Sequence, residues 1–385
     1  MKNMASALLL VFCLATPAIA ENATTPAPAN EEQLAATLRD TRARAERGDA
    51  DAQFNLGAMY ASGWGVAKDD AQAVVWYRKA AEQGNAKAQY NLGMAYSDGA
   101  GVAKDDAQAV VWFRKAADQG DADAQSSLGW MYANGRGVAK DDAQAVAWYR
   151  KAADQGYADA QSSLGWMYEN GRGVAQDDAQ AVAWYRKAAD QGSAYAQASL
   201  GTMYAFGSGV TQDYAQAVVW FRKAADQGLA EAQFNLGAAY NNGEGVAQDY
   251  AQAVVWLRKA AEQDLAEAQY NLGVAYSDGE GVGKDDAQAV AWYRKAAEQG
   301  NANAQFNLGV MYMDGRGVAK DDVQAVAWFR KAAEQDLADA KFKLGAMYVL
   351  GQGVAQDDAQ AVAWFRKAAE QGHADAKEVL RRIHQ

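Results

Sequence analysis

The sequence contains little histidine, cysteine or proline, and these gaps exclude several kinds of chemistry. The two histidines, His373 and His384, both lie near the carboxyl terminus, which leaves almost no material for a histidine-based triad or zinc site. The single cysteine, Cys13, lies within the first twenty residues. Once that segment is removed, the chain has no thiol, disulfide or cysteine-based metal site. We therefore predict a non-enzyme that needs neither a metal nor a cofactor.

Residues 1–20 have the composition of a secretory signal peptide. Lys2 supplies a positive charge, an apolar stretch follows, and Ala18-Ile19-Ala20 forms a small-residue cleavage site before Glu21. The apolar stretch is too short for a membrane span, and no later one is longer. We predict export to the periplasm or the outside of a bacterial cell, without membrane insertion.

The chain has fewer basic than acidic side chains. Without Lys2 the chain carries 36 basic and 48 acidic side chains, a net charge of −12. This balance repels polyanions, so we expect neither nucleic acid nor an anionic membrane surface as a partner.

One 36-residue unit fills most of the chain. Its first copy, residues 48–83, reads GDADAQFNLGAMYASGWGVAKDDAQAVVWYRKAAEQ. Further copies begin at Gly84, Gly120, Gly156, Gly192, Gly228, Asp264, Gly300 and Asp336, and a half copy begins at Gly372. Such a period predicts a solenoid, in which each unit packs on its neighbours. We assign 48–371 to nine repeats, 21–30 to a flexible linker, 31–47 to an N-terminal capping helix and 372–385 to a C-terminal capping helix.

Each unit contains two helical patterns, helix A and helix B, joined by a glycine turn. In the first copy Leu56 and Met59 lie on one side of helix A, and Asp69 with Gln72 forms a capping box at the start of helix B. Gly57 lies inside helix A, and a glycine recurs there in every copy. Because a mid-helix glycine costs about 1 kcal/mol relative to alanine, its recurrence predicts close approach of a backbone or ring.

The unit resembles the Sel1-like repeat. Its pattern is Ala-x-x-x-Leu-Gly-x-x-Tyr-x-x-Gly-x-Gly-Val, then Asp, then Ala-x-x-Trp-[Tyr/Phe]-x-Lys-Ala-Ala-x-Gln-Gly. In the first copy the pattern comprises Ala52, Leu56, Gly57, Tyr60, Gly63, Gly65, Val66, Asp69, Ala73, Trp76, Tyr77, Lys79, Ala80, Ala81 and Gly84. The resemblance implies an all-α, right-handed superhelical solenoid of stacked αα-hairpins, related to tetratricopeptide repeats. It also implies a scaffold or adaptor for protein partners, frequently in bacterial envelopes.

Copy-to-copy changes concentrate on the side of helix A opposite its core residues, which by the family's geometry lines a concave groove. Trp130 and Trp166 lie on this side, about 160° from Leu128 and Leu164 on a helical wheel. The candidate binding residues are Trp130, Trp166, Ser127, Ser163, Asn134, Asn170, Tyr195 and Phe206. Two interpretations of the tryptophans stay open: anchors for a partner, or packing between neighbouring A helices.

The main hypothesis is a non-catalytic, exported, monomeric scaffold or adaptor that binds a peptide or protein segment in this groove. The alternative is an envelope glycan-binding protein or weak hydrolase. In that case carbohydrate would stack on Trp130 and Trp166, while carboxylates such as Asp123 and Asp159 would serve as acid and base. A third hypothesis is a passive spacer, for which substitutions in the groove would have no effect.

Overall fold

The computed structural model describes residues 31–383, in which the regular secondary structure is entirely helical. The predicted signal peptide (1–20), the predicted linker (21–30), His384 and Gln385 lie outside the described residues. The chain divides into two compact units, the first ending at Ala188 and the second beginning at Ala189.

Helix α1, Glu31–Glu46, is followed by alternating A and B helices. The A helices are α2 Ala50–Ser62, α4 Ala86–Asp98, α6 Ala122–Asn134, α8 Ala158–Glu169, α10 Ala194–Phe206, α12 Ala230–Asn242, α14 Ala266–Asp278, α16 Ala302–Asp314 and α18 Ala338–Leu350. The B helices are α3 Asp70–Glu82, α5 Asp106–Asp118, α7 Asp142–Asp154, α9 Asp178–Asp190, α11 Tyr214–Asp226, α13 Tyr250–Glu262, α15 Asp286–Glu298, α17 Asp322–Glu334 and α19 Asp358–Glu370. Helix α20, Ala374–Ile383, is an A helix without a following B helix.

Capping residues set the ends of each hairpin. The N–H of Gln72 donates to Asp69 Oδ1 at 3.0 Å, so the predicted N-cap of helix B is confirmed. Gly63 ends α2 with φ of 75°, and Gly84 follows α3 with φ of 93°. Both lie in the left-handed region, which glycine adopts without a Cβ clash.

The glycine inside each helix A marks a close approach to helix B. A Cβ on Gly165 would lie 2.7 Å from Tyr185 Cδ1, and the nearest such contact in the nine copies is 2.6 to 2.9 Å. Real Cβ atoms essentially never approach so closely, so the predicted close approach is confirmed. The aromatic or leucine side chain of helix B therefore packs directly on the backbone of helix A.

Within each of the two compact units, buried glutamine side chains hydrogen-bond one hairpin to the next. Gln89 Nε2 donates to the carbonyl oxygen of Ala81 at 3.0 Å, and Gln89 Oε1 accepts from Gln119 Nε2 at 2.7 Å. Because an unpaired buried amide is costly, these bonds fix the register of one hairpin on the next.

Helix α1 contacts the first hairpin in the way that a B helix contacts the next A helix. Arg42 Nη2 donates to Tyr60 Oη at 3.1 Å, and Gln53 Nε2 donates to the carbonyl oxygen of Ala45 at 3.1 Å. The same two hydrogen bonds recur 36 residues later, between α3 and α4. Helix α1 is therefore a degenerate B helix; its capping role stays a prediction.

The last helix, α20, carries charge on its outer side. Arg381 and Arg382 pair with Glu378 at 2.8 and 2.9 Å. Leu380 is half-buried, whereas Ile383 is 51% exposed. Ile383 therefore does not face inward.

Candidate binding face

The predicted groove residues of the third and fourth repeats form a stripe on each of two neighbouring A helices. Residues spaced i, i+4, i+7 and i+11 share one side of a helix. The stripe on α6 comprises Asp123, Ser127, Trp130 and Asn134, and that on α8 comprises Asp159, Ser163, Trp166 and Asn170. These eight residues are termed the A-helix face.

Trp130 is half-buried and lies at the centre of this face. Its ring packs against the apolar cores on both sides of α6, and the Cζ of Arg136 lies 5.0 Å from its ring centroid. The carbonyl oxygen of Trp130 accepts from Asn134 Nδ2 at 2.9 Å. The indole N–H is buried and has no hydrogen-bond partner within residues 31–383.

Trp166 has the same environment one repeat later. It is half-buried against the core cluster that Trp130 also contacts, and the Cζ of Arg172 lies 5.0 Å from its ring centroid. Its carbonyl oxygen accepts from Asn170 Nδ2 at 3.0 Å. The structure therefore brings the two tryptophans to one surface in equivalent positions.

Arginine–aspartate pairs hold the cation over each ring. Arg136 donates from Nη2 and Nε to the two carboxylate oxygens of Asp106, at 2.6 and 3.0 Å. Arg172 makes the same two-pronged pair with Asp142, at 2.7 and 3.0 Å. Such bidentate pairs fix the guanidinium plane, and the stacked cation restricts the indole. Both rings are therefore pre-organised.

Serine at one position makes room for each tryptophan. In five other repeats that position carries a ring that packs on a ring of helix B, with centroids 5.5 to 6.0 Å apart. The third and fourth repeats carry Ser126 and Ser162 there, with the tryptophan one turn later. Helical side chains lean towards the N-terminus, so the indole extends towards the space that the smaller serine leaves.

Two of the predicted polar residues are less available than expected. Ser127, predicted as a binding residue, is only 6% exposed: it lies one turn before Trp130, in the direction in which the indole leans. The Tyr90 hydroxyl lies near Ser127 Oγ, but no hydrogen bond of ordinary geometry joins them. Ser163 is half-buried.

Asn134 and Asn170 are exposed, and each side chain donates back to the carbonyl of its own tryptophan. Tyr195 and Phe206 lie on α10, in the second compact unit. Phe206 is 68% exposed at the last position of that helix, and Tyr195 is half-buried. The A-helix face, which lies in the first unit, does not include these two residues.

Carboxylates and phenols surround the N-terminal part of the A-helix face. Burial raises the pKa of the Tyr157 hydroxyl, and its hydrogen bond to the Asp123 carboxylate raises it further, as do the charges of Asp123 and Asp159. Burial and the charge of Asp123 also raise the pKa of Asp159, although that side chain keeps contact with solvent. Burial raises the pKa of Asp121 as well, and Lys87 opposes this rise. In this region the carboxylates of Asp121, Asp123 and Asp159 thus outnumber the one cation, Lys87, that acts on them.

Neither a membrane helix nor a metal cluster is found in the described part of the chain. None of its helices is long and apolar enough to cross a bilayer. Its histidine, aspartate and glutamate side chains form no group of three or more that is placed to hold a metal ion.

The hairpins match the family model of the Sel1 repeat in nine consecutive segments. These are residues 50–85, 86–121, 122–157, 158–193, 194–229, 230–265, 266–301, 302–337 and 338–373. The chain belongs to the Sel1 repeat family. Proteins built from these repeats are commonly scaffolds for protein interactions and are generally not enzymes.

Two solved Sel1 repeat structures resemble most of the chain. One is a protective antigen of uropathogenic Escherichia coli strains with an SLR fold: 41% identity over 91% of this chain and 83% of that chain, TM-score 0.67. The other is a Sel1 repeat protein from Oxalobacter formigenes: 36% identity over 82% of this chain and 93% of that chain, TM-score 0.62. No curated protein sequence matches the chain.

Proposed function

We propose that this Sel1 repeat protein is a non-catalytic adaptor that binds a protein or peptide segment on the A-helix face. The observation that carries the proposal is the pair Trp130 and Trp166, half-buried in equivalent settings on adjacent repeats. Large aromatic side chains dominate the energy of many protein interfaces. Because Arg136 and Arg172 already restrict the rings, little conformational entropy is lost on binding.

A swap between repeats tests this proposal without emptying the core. The variant S126F/W130V/S162F/W166V gives the third and fourth repeats the side chains that the eighth repeat carries, Phe306 and Val310. Wild type and swap variant are used as baits in an envelope extract, and captured proteins are identified by mass spectrometry. A specific partner should be captured by wild type and lost by the swap variant.

The matched control is V274A/V310A. It truncates Val274 on α14 and Val310 on α16, which take the place of Trp130 in the seventh and eighth repeats of the second compact unit. It should capture the same partner as wild type. Equal capture by all three baits would remove the tryptophans from the binding account.

Export is a second part of the proposal and rests on residues 1–20. N-terminal sequencing of the protein from whole cells should begin at Glu21. A cytoplasmic protein that begins at Met1 would contradict it.

The alternative function, glycan binding or weak hydrolysis, has one observation in its favour. Asp159 has a raised pKa, and it lies on the same stripe as Trp166. A raised carboxyl pKa is what a general acid in glycoside hydrolysis requires. Soluble peptidoglycan fragments are the probe: binding or cleavage that Asp159→Asn abolishes would favour this function over the adaptor.

A further inference from the structure

Two groups of aspartates lie near Trp130 and Trp166, and only one group forms ion pairs. Asp106 and Asp142 each hold an arginine of the following repeat in a bidentate pair. Asp123 and Asp159, at the N-terminal ends of the two stripes, make no ion pair within residues 31–383. Their charges act on each other and on Tyr157, so they face a common region. Of these four aspartates, only Asp106 and Asp142 therefore have a cationic partner within the described residues.

The second observation is independent of charge. Ser127 lies on the stripe between Asp123 and Trp130, is 6% exposed, and its hydroxyl makes no hydrogen bond of ordinary geometry in the described part of the chain. The buried indole N–H of Trp130 lacks a partner as well. Buried polar groups are rarely left unpaired in folded proteins, so each such atom calls for an explanation. Carboxylates without a cationic partner and two buried polar atoms without a hydrogen bond thus lie beside a half-buried aromatic ring.

These features point to the chemistry of the partner. A lysine or arginine side chain would supply the missing positive charge, and its neighbour in the segment could contact an indole. An acidic segment would be repelled by the carboxylates of Asp123 and Asp159, whose charge no cation of the described residues neutralises. The fixed arginines do not change this sign, because Asp106 and Asp142 already neutralise them.

We propose that the A-helix face selects basic segments, in which a lysine or arginine binds between Asp123 and Asp159 while a neighbouring large apolar side chain packs on Trp130 or Trp166. This inference rests on the proposed adaptor function and adds the class of partner to it.

Matched peptides test the charge preference on the full chain. The probes are fluorescein-labelled dodecapeptides that repeat Gly-Lys-Ser-Phe, and the same peptides with glutamine or glutamate in place of lysine. Fluorescence anisotropy should give an affinity order of lysine, then glutamine, then glutamate. The preference for lysine over glutamine should decrease as salt is added, because exposed charges are screened.

The key variant is D123N/D159N, which removes both charges and keeps the side-chain size. We expect it to bind the lysine peptide about tenfold more weakly and the glutamine peptide unchanged. The control, E231Q/E267Q, changes the same positions on α12 and α14 in the second unit and should leave both affinities unchanged. The salt dependence of the wild type tests the same point should D123N/D159N fold poorly.

The outcomes separate this inference from the adaptor function. If both peptides bind wild type equally and the swap variant S126F/W130V/S162F/W166V loses both, the adaptor function stands and the charge preference is wrong. Equal weakening in E231Q/E267Q would also overturn it, because the effect would then come from net charge alone. If none of the peptides binds, the preference for basic segments is wrong, and the adaptor function is decided by the capture experiment alone.

Discussion

The third repeat, in the first compact unit, and the eighth, in the second, fill the same space in two ways. In the eighth repeat the ring of Phe306 packs on Phe329 with centroids 5.5 Å apart, and Val310 follows one turn later. In the third repeat Ser126 takes the first position and Trp130 the second. Both arrangements fill the interior, but only the second places a large, partly exposed aromatic ring on the A-helix face. A repeat can therefore change its surface while keeping its core volume.

Both repeats carry the same arginine–aspartate pair. Arg316 pairs with Asp286 at 2.6 Å, as Arg136 pairs with Asp106, although the eighth repeat has no tryptophan at this place. The arginine–aspartate pair is therefore part of the scaffold that joins successive hairpins. The indole is the added element, and it uses a cation that the scaffold already holds in place.

The largest effect is expected from removing the Phe306 ring of the eighth repeat, because the third repeat has no ring at this position. Phe306→Ala should lower the free energy of unfolding by about 2–4 kcal/mol, somewhat less than for a fully buried phenylalanine. Ser126→Ala, the matched change in the third repeat, should stay within about 0.5 kcal/mol of wild type. Urea titration measures both. Similar losses in the two variants would show that the repeats do not differ in this way.

The next effect concerns the glycine inside helix A. A Cβ on Gly165 would lie 2.7 Å from the buried ring of Tyr185, whereas on Gly237 it would meet the more adaptable side chain of Leu257 at 2.9 Å. Gly165→Ala should therefore destabilise by about 1–3 kcal/mol despite its helix propensity, and Gly237→Ala by less.

Gly283→Ala is the control for these glycines, since a Cβ there would have nothing within 4 Å. It should be neutral in the same urea titration. A Gly165→Ala variant as stable as wild type would contradict the close approach.

The smallest effect is the pH dependence that Glu169 contributes, at a position where only the fourth repeat carries a glutamate. Burial raises the pKa of Glu169, and the Tyr185 hydroxyl, which donates to its Oε2 at 2.6 Å, opposes this rise. The folded chain thus holds this proton more strongly than the unfolded chain. The contribution of Glu169 to stability is complete below its unfolded pKa and is lost as the pH rises through the folded value.

Glu169→Gln should remove this slope between about pH 4 and 7, a range set by the ordinary glutamate pKa. The equivalent residue in the seventh repeat is Ser277, which does not titrate in this range, so Ser277→Ala should leave the slope unchanged. Thermal melting across this pH range measures both variants. A slope that persists in Glu169→Gln would assign it to another group.

The hairpins were predictable because their signals are local. Asp69 lies three residues before the N–H that it caps, and the recurrent Gly57 position reports a contact that its own repeat makes. The nature of α1 was missed, because Asp40 and Thr41 stand where the next B helix has Trp76 and Tyr77. The signal that could have revealed it is the preserved 36-residue spacing from Arg42, Ala45 and Gly48.

The candidate face was only partly predictable from one repeat. A helical wheel gives the direction of Ser127 but not what lies over it, so its burial was missed. The pairing of Arg136 with Asp106 joins consecutive repeats, thirty residues apart, and a wheel of one helix cannot show it. The occurrence of arginine in the turns of the third, fourth and eighth repeats was the available signal.

The central claim is that the indoles of Trp130 and Trp166 bind a partner in addition to packing. It is tested most directly by measuring melting temperature and affinity together on S126F/W130V/S162F/W166V, with the partner that the wild-type chain captures. The account predicts a melting temperature within about 4 °C of wild type and an affinity lower by about thirtyfold or more. An unchanged affinity in a well-folded swap variant would contradict the claim and leave both tryptophans as packing residues.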